Sequence, residues 1–166
     1  GVQTCALPIL YAVIYSVLVI GTFAVVSLVT RAGDAGSDIG SFRGLGRQRP
    51  ALALAMTVFL LAQAGMPTTS GFIAKFGVIS AAAANRSYAI AIIAMVASVI
   101  AAVLYLRIMI SMWLSDAESG DDSREAVGVP ATANVVISLA ALFTLLVGVF
   151  PGWLIDAART AAEFVR

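Results

Sequence analysis

The chain has 166 residues, 61% of them hydrophobic and 11% charged, with a mean hydropathy of +1.01; soluble domains average roughly 45–50% apolar and about 25% charged, so this is an integral membrane protein. With no histidine and a single cysteine, Cys5, it lacks the usual ligands of zinc, haem and iron–sulfur clusters and cannot assemble a Cys–His nucleophile. Ten basic residues against nine acidic ones leave a net charge of +1, no footprint for nucleic acid, so lipid and other membrane helices are the expected partners.

The opening GVQTCALPI lacks the basic flank and cleavage site of a signal peptide and resembles translated adapter sequence. Residues 1–9 are therefore expected to be a non-native leader, and 10–166 a transmembrane domain. Leu10 to Val29 carries no charge, and its length matches the ~20 residues needed to cross a bilayer core. The first span is set at 10–30. Within it Tyr11 and Tyr15 lie four apart on one helical face, as an interfacial aromatic anchor or as a contact inside the bundle.

A polar loop follows at 31–49, holding Arg31, Arg43, Arg47 and Arg49 against Asp34 and Asp38. Pro50 suits the first turn of a helix. The apolar run from Ala51 to Ala64, with Thr57 and Gln63 as its polar points, covers only about 21 Å and is too short for a ~30 Å core. Gly71 to Ala84 is equally short. Between them stands Gly65-Met66-Pro67-Thr68-Thr69-Ser70-Gly71, so the economical reading is one span over 50–84, broken near 65–70 at Gly65, Pro67 and Gly71; a re-entrant hairpin is the rival. Asn85-Arg86-Ser87 turns the chain into a span at 88–114, which contains Tyr105 and Arg107. Arg107 either snorkels to the interface or faces the bundle near Tyr105. A polar loop at 115–129, a last span at 131–151, Trp153 at the exit and a short amphipathic tail complete the chain. With one broken span, loops 31–49 and 115–129 share a side and hold five arginines against Arg86, Arg159 and Arg166 opposite, which places both loops in the cytoplasm.

The only lysine, Lys75, falls just beyond the break. A charged side chain at mid-bilayer costs at least about 2.5–3.5 kcal/mol. Thr68, Thr69 and Ser70 can each cap the second half-helix, so Lys75 sits in its first or second turn, where desolvation and the positive helix end both act against the charged form. Its charge is conditional, which suits a proton relay. Freed carbonyls, with Thr57, Gln63, Thr68, Thr69 and Ser70, are candidates to hold water around the amine, and Tyr105 and Arg107 are further relay candidates. Two plainer readings stand beside this: the lysine simply caps those carbonyls or snorkels to a nearby interface, and the break is a static kink.

Gly44-Leu45-Gly46-Arg47-Gln48-Arg49-Pro50, then Thr57-Val58-Phe59-Leu60-Leu61-Ala62-Gln63-Ala64-Gly65-Met66-Pro67 and Gly71-Phe72-Ile73-Ala74-Lys75-Phe76, closely resemble the antiporter-like membrane subunits of proton-pumping NADH–quinone oxidoreductase, complex I. Tyr105-Leu106-Arg107 extends the resemblance, although Leu104 departs from the paired tyrosines of the pattern. The likeness is greatest to subunits of the N type, given Lys75 and the short tail after the last span. It implies an all-α integral membrane fold of about four transmembrane helices, the second discontinuous, forming the C-terminal part of a fourteen-helix antiporter-like fold with two inverted repeats. It also implies a proton-translocating subunit of the bacterial cell membrane in which Lys75 is the proton carrier. No cofactor is then expected in this chain; flavin and iron–sulfur clusters belong to partner subunits, and quinone and NADH are met only through them. A subunit of a multi-subunit cation/proton antiporter or membrane-bound hydrogenase is the alternative, and a non-transporting membrane scaffold a third.

Overall fold

The structure, a computed structural model, describes residues 2–31, 39–115 and 130–164. Every regular element among them is helical: α1 (Val2–Arg31), a 3₁₀ turn (Ile39–Phe42), α2 (Leu45–Gln48), α3 (Pro50–Ala64), α4 (Ser70–Ala84), α5 (Tyr88–Leu114), α6 (Ala131–Val149) and α7 (Gly152–Phe164). Three helices are long and apolar enough to cross a membrane, over Pro8–Thr30, Tyr88–Leu114 and Ala131–Val149, whereas α3 and α4 are apolar but shorter. Several hydroxyls within these helices return to their own backbone, as Thr22 Oγ1 does to the Leu18 carbonyl at 2.8 Å and Thr144 Oγ1 to that of Ala140 at 2.8 Å. In hydrocarbon that is the cheapest way to satisfy a hydroxyl, because no water competes for it.

Helix α1 is the spine. Ile14, Leu18 and Val25 are fully buried on one stripe, spaced four and seven apart as one face of a helix requires. Against α1 pack α3, α4, α6 and α7, and Phe59, Met56 and Leu60 of α3 supply the largest facing side chains. The helix starts ahead of the expected boundary at residue 10, while the edges expected at 50, 84, 88, 114 and 131 coincide with helix ends. The last span closes at Val149, two residues early, where Phe150 and Pro151 interrupt it.

Helices α3 and α4 both pack on α1, α5 and α6. The chain leaves α4 through the turn at 85–87 and enters α5 at Tyr88. At the other end of α5, whose 27 residues rise about 40 Å, Trp113 Nε1 donates to Thr57 Oγ1 of α3 at 3.0 Å. So α5 starts beside the end of α4 and finishes beside α3.

The polar segment expected at 31–49 is more structured than a loop over residues 39–48. Phe42 and Leu45 are buried and anchor it to the bundle, and Ser111 Oγ donates to the Ile39 carbonyl at 3.5 Å. Residues 32–38 and 116–129 lie outside the described residues, and with them most of the loop expected at 115–129. The tail is a helix, α7, with Ala158 buried and Asp156 and Thr160 exposed. Trp153 meets the ring of Phe143 edge-on at 6.2 Å.

Candidate functional site, the helix break and its lysine

Helix α3 stops where its backbone can no longer continue right-handed: Gly65 has φ +88°, a conformation that costs other residues roughly 1–2 kcal/mol. The Gly65 N–H donates to the Ala62 carbonyl and the Met66 N–H to that of Leu61, each at 3.0 Å. This is a Schellman closure, which satisfies two of the carbonyls that a helix end exposes. The next two, of Gln63 and Ala64, are met by the lysine. Lys75 Nζ donates to the Gln63 carbonyl at 2.6 Å and, more weakly, to the Ala64 carbonyl at 3.4 Å. Room for its stem is made by Gly65, where a β-carbon would lie 3.2 Å from Lys75 Cδ.

Helix α4 begins at Ser70 with Thr69 in the N-cap position, extended at φ −114° and ψ 155°, so Lys75 stands in the second turn. Thr69 makes no side-chain cap; its hydroxyl turns back to the Met66 carbonyl at 2.6 Å and closes the 65–69 turn on itself. Gly71 lets the first turn of α4 touch the last turn of α3, since any β-carbon there would collide with the Ala62 carbonyl. Gly148 of α6 packs the same way against the backbone of Thr68 and Thr69. The amine is thereby set between opposed helix ends: the C-terminal end of α3 acts for its charge, while burial and the N-terminal end of α4 act against it.

The other candidate residues divide into those near the break and those away from it. Gln63 is buried, and its Nε2 donates to Thr22 Oγ1 at 2.6 Å, tying α3 to α1 beside the carbonyl that seats the lysine. Ser70 is fully buried, and among the described residues its Oγ has no hydrogen-bond partner. Pro67 and Thr68 are exposed in the turn, Thr68 with φ 73°. Thr57 is engaged elsewhere, donating to the Ala53 carbonyl at 2.7 Å and accepting from Trp113. Arg107 is exposed and is not brought to the site. Two residues advance a helix by about 200°, so Tyr105 and Arg107 point to nearly opposite sides of α5.

Residues of α1, α4 and α5 line an open cleft of about 560 Å³ that includes Lys75, Tyr11, Tyr15, Tyr105 and Ser98. The rings of Tyr11 and Tyr15 are stacked, 4.4 Å between centroids and 18° between planes. Their four-residue spacing is the one trace of this in the sequence, where it serves an interfacial anchor equally well. Thr22 and Gly148 left no such trace, because each acts on a residue far away in the chain.

Comparison with known proteins agrees with this architecture. The family model described as NADH:quinone oxidoreductase/Mrp antiporter, TM, matches residues 1–101. The chain is 42% identical over 158 residues to NADH-quinone oxidoreductase subunit N of Parafrankia sp., with 94% of this chain and 30% of that protein covered. It is 38% identical over 156 residues to subunit N 3 of Streptomyces griseus, covering 94% and 28%, and 38% identical over 161 residues to subunit N of Mycobacterium tuberculosis, covering 94% and 30%. It thus spans less than a third of the length of these curated relatives. This all-helical membrane chain, matched over most of its length in this way, belongs to the NADH:quinone oxidoreductase/Mrp antiporter transmembrane family.

Proposed function

We propose that this chain is a segment of a proton-translocating membrane subunit of an NADH–quinone oxidoreductase, in which Lys75 takes up and releases the proton. The observation that carries this reading is the seat of Lys75, whose Nζ is hydrogen-bonded to carbonyls that the break leaves free and which also lines a cleft containing hydroxyls. A purely capping lysine needs only the first half of that arrangement. In this reading α3 and α4 form one discontinuous crossing between α1 and α5, giving four crossings in all. Loops 31–49 and 115–129 then lie on the cytoplasmic side of the bacterial cell membrane. Its partners are lipid and the other membrane subunits, with NADH and quinone handled elsewhere in the complex. The transmembrane domain runs from residue 10 to 166.

The test is Lys75→Met in the whole subunit, assembled in its complex and reconstituted in vesicles. NADH-driven proton uptake falls by most of its value and coupled quinone reduction slows, while assembly is retained. Unchanged pumping by an intact complex would falsify the relay and favour a scaffold in which the broken helix only packs.

Because the family also includes Mrp antiporters, a subunit of a cation/proton antiporter is the second reading. Proton flux that requires sodium and is indifferent to NADH oxidation decides for it.

A further inference from the structure

We infer that the proton of Lys75 is exchanged through the hydroxyls of Tyr11, Tyr15 and Tyr105 in the adjoining cleft, and that the carbonyls of the break serve only as a seat. The inference rests on the relay reading above and assigns its path.

The argument begins with what each side of the amine is able to do. An amide carbonyl accepts a hydrogen bond but is far too weak a base to carry a proton onward, so Gln63 and Ala64 hold Nζ without offering an exit. Among groups lining the cleft, Val78, Ile79 and the alanines of α5 have no polar side chain. Ser98 does, but its hydroxyl hydrogen is committed to the Ala94 carbonyl at 2.8 Å. That leaves the three tyrosines, each a donor and an acceptor at once. Stacking holds Tyr11 and Tyr15 side by side on one face of α1, one turn apart, and both line the cleft. Tyr105 enters from α5. The cleft of about 560 Å³ is mostly apolar, so its polar groups are the three hydroxyls, Ser98 and the amine, and any water there takes its partners from them.

The step balances without any ionised tyrosine. One N–H bond of the Lys75 ammonium breaks as an O–H bond forms on the first oxygen of the chain, each phenol passes its original proton to the next oxygen in the same event, and the last phenol's proton goes to a water molecule at the open mouth of the cleft, which becomes hydronium. The amine is left neutral, each phenol is left neutral, and one proton has moved along the cleft. Uptake runs through the same bonds in reverse.

Tyrosine to phenylalanine is the discriminating change, because it removes the oxygen and keeps the stacked ring. In vesicles carrying the assembled complex, the Tyr11→Phe, Tyr15→Phe, Tyr105→Phe triple variant is expected to lower proton flux per NADH oxidised by at least about tenfold. Each single variant lowers it several-fold and alters the solvent deuterium isotope effect on flux, at unchanged melting temperature. Should the triple variant fail to assemble, the single ones carry the same test. If the tyrosine variants pump like wild type while Lys75→Met does not, the path is wrong and the relay stands. If Lys75→Met also pumps like wild type, relay and path fall together.

Discussion

Lys75 is held at the break by carbonyls that the closure of α3 leaves unused. Placing the residue next to a helix interruption was a matter of reading Gly65, Pro67 and Gly71 against an otherwise apolar run; learning that its nitrogen rests on the Gln63 and Ala64 carbonyls was not, because those contacts span eleven and twelve residues of an irregular turn. The direction of the helix-end effect was half legible. From Thr68, Thr69 and Ser70 one infers the positive end of α4, but the opposing C-terminal end of α3 matters only once the side chain is seen to reach back to it. Gly65 carries a double demand, a positive φ and space for the lysine stem. Gly65→Ala is expected to cost about 1–2 kcal/mol in stability from backbone conformation alone. It also displaces Lys75 and reduces flux, so thermal unfolding and proton uptake should fall together. Wild-type flux in a destabilised Gly65→Ala protein would mean that the seat of the amine is unimportant.

At the level of elements, the two short helices and their edges followed from the sequence because Pro50, Gly65 and the turn at 85–87 are local signals. How the halves are held was not local. Gln63, a candidate for holding water, also bridges α3 and α1, its Nε2 on Thr22 Oγ1 at 2.6 Å. Interhelical hydrogen bonds of this kind contribute about 0.6 kcal/mol on average and at most about 1.7. A double-mutant cycle of Thr22→Val and Gln63→Leu, read as unfolding free energy in detergent, should return a coupling of about that size. Additive effects would show that the pair does not bind the helices together. Thr57, in the same helix, has its hydroxyl bonded to the Ala53 carbonyl and to Trp113 of α5, contacts its position in the chain does not announce.

For the whole molecule, the arrangement to test is the number of crossings: among the described residues three helices reach spanning length, and α3 and α4 are shorter. A single broken crossing and a hairpin make opposite statements about sidedness. In a Cys5→Ser background, cysteines placed at positions 43 and 121 should react with an impermeant thiol reagent from one side of the membrane and a cysteine at position 85 from the other. If 43 and 85 label from the same side, α3 and α4 form a hairpin and the four-crossing arrangement is wrong. Many of the large apolar residues of α5, among them Ile93, Val99 and Ile100, are exposed in this segment. Lipid or further membrane helices suit such a face equally well, which is why hydropathy located α5 without indicating what it touches.

Membership in a membrane, the boundaries of α3, α4 and α5, and the break beside a lone lysine could all be read from the chain, because hydropathy, helix length and glycine or proline punctuation act over a few neighbouring residues. The architecture of the site could not. It depends on Tyr11 and Tyr15 sharing a cleft with Tyr105, ninety or more residues away, and on Thr22 meeting Gln63 across two helices. The rotation of one helix against another is set by packing among all of them at once, and no local pattern encodes it.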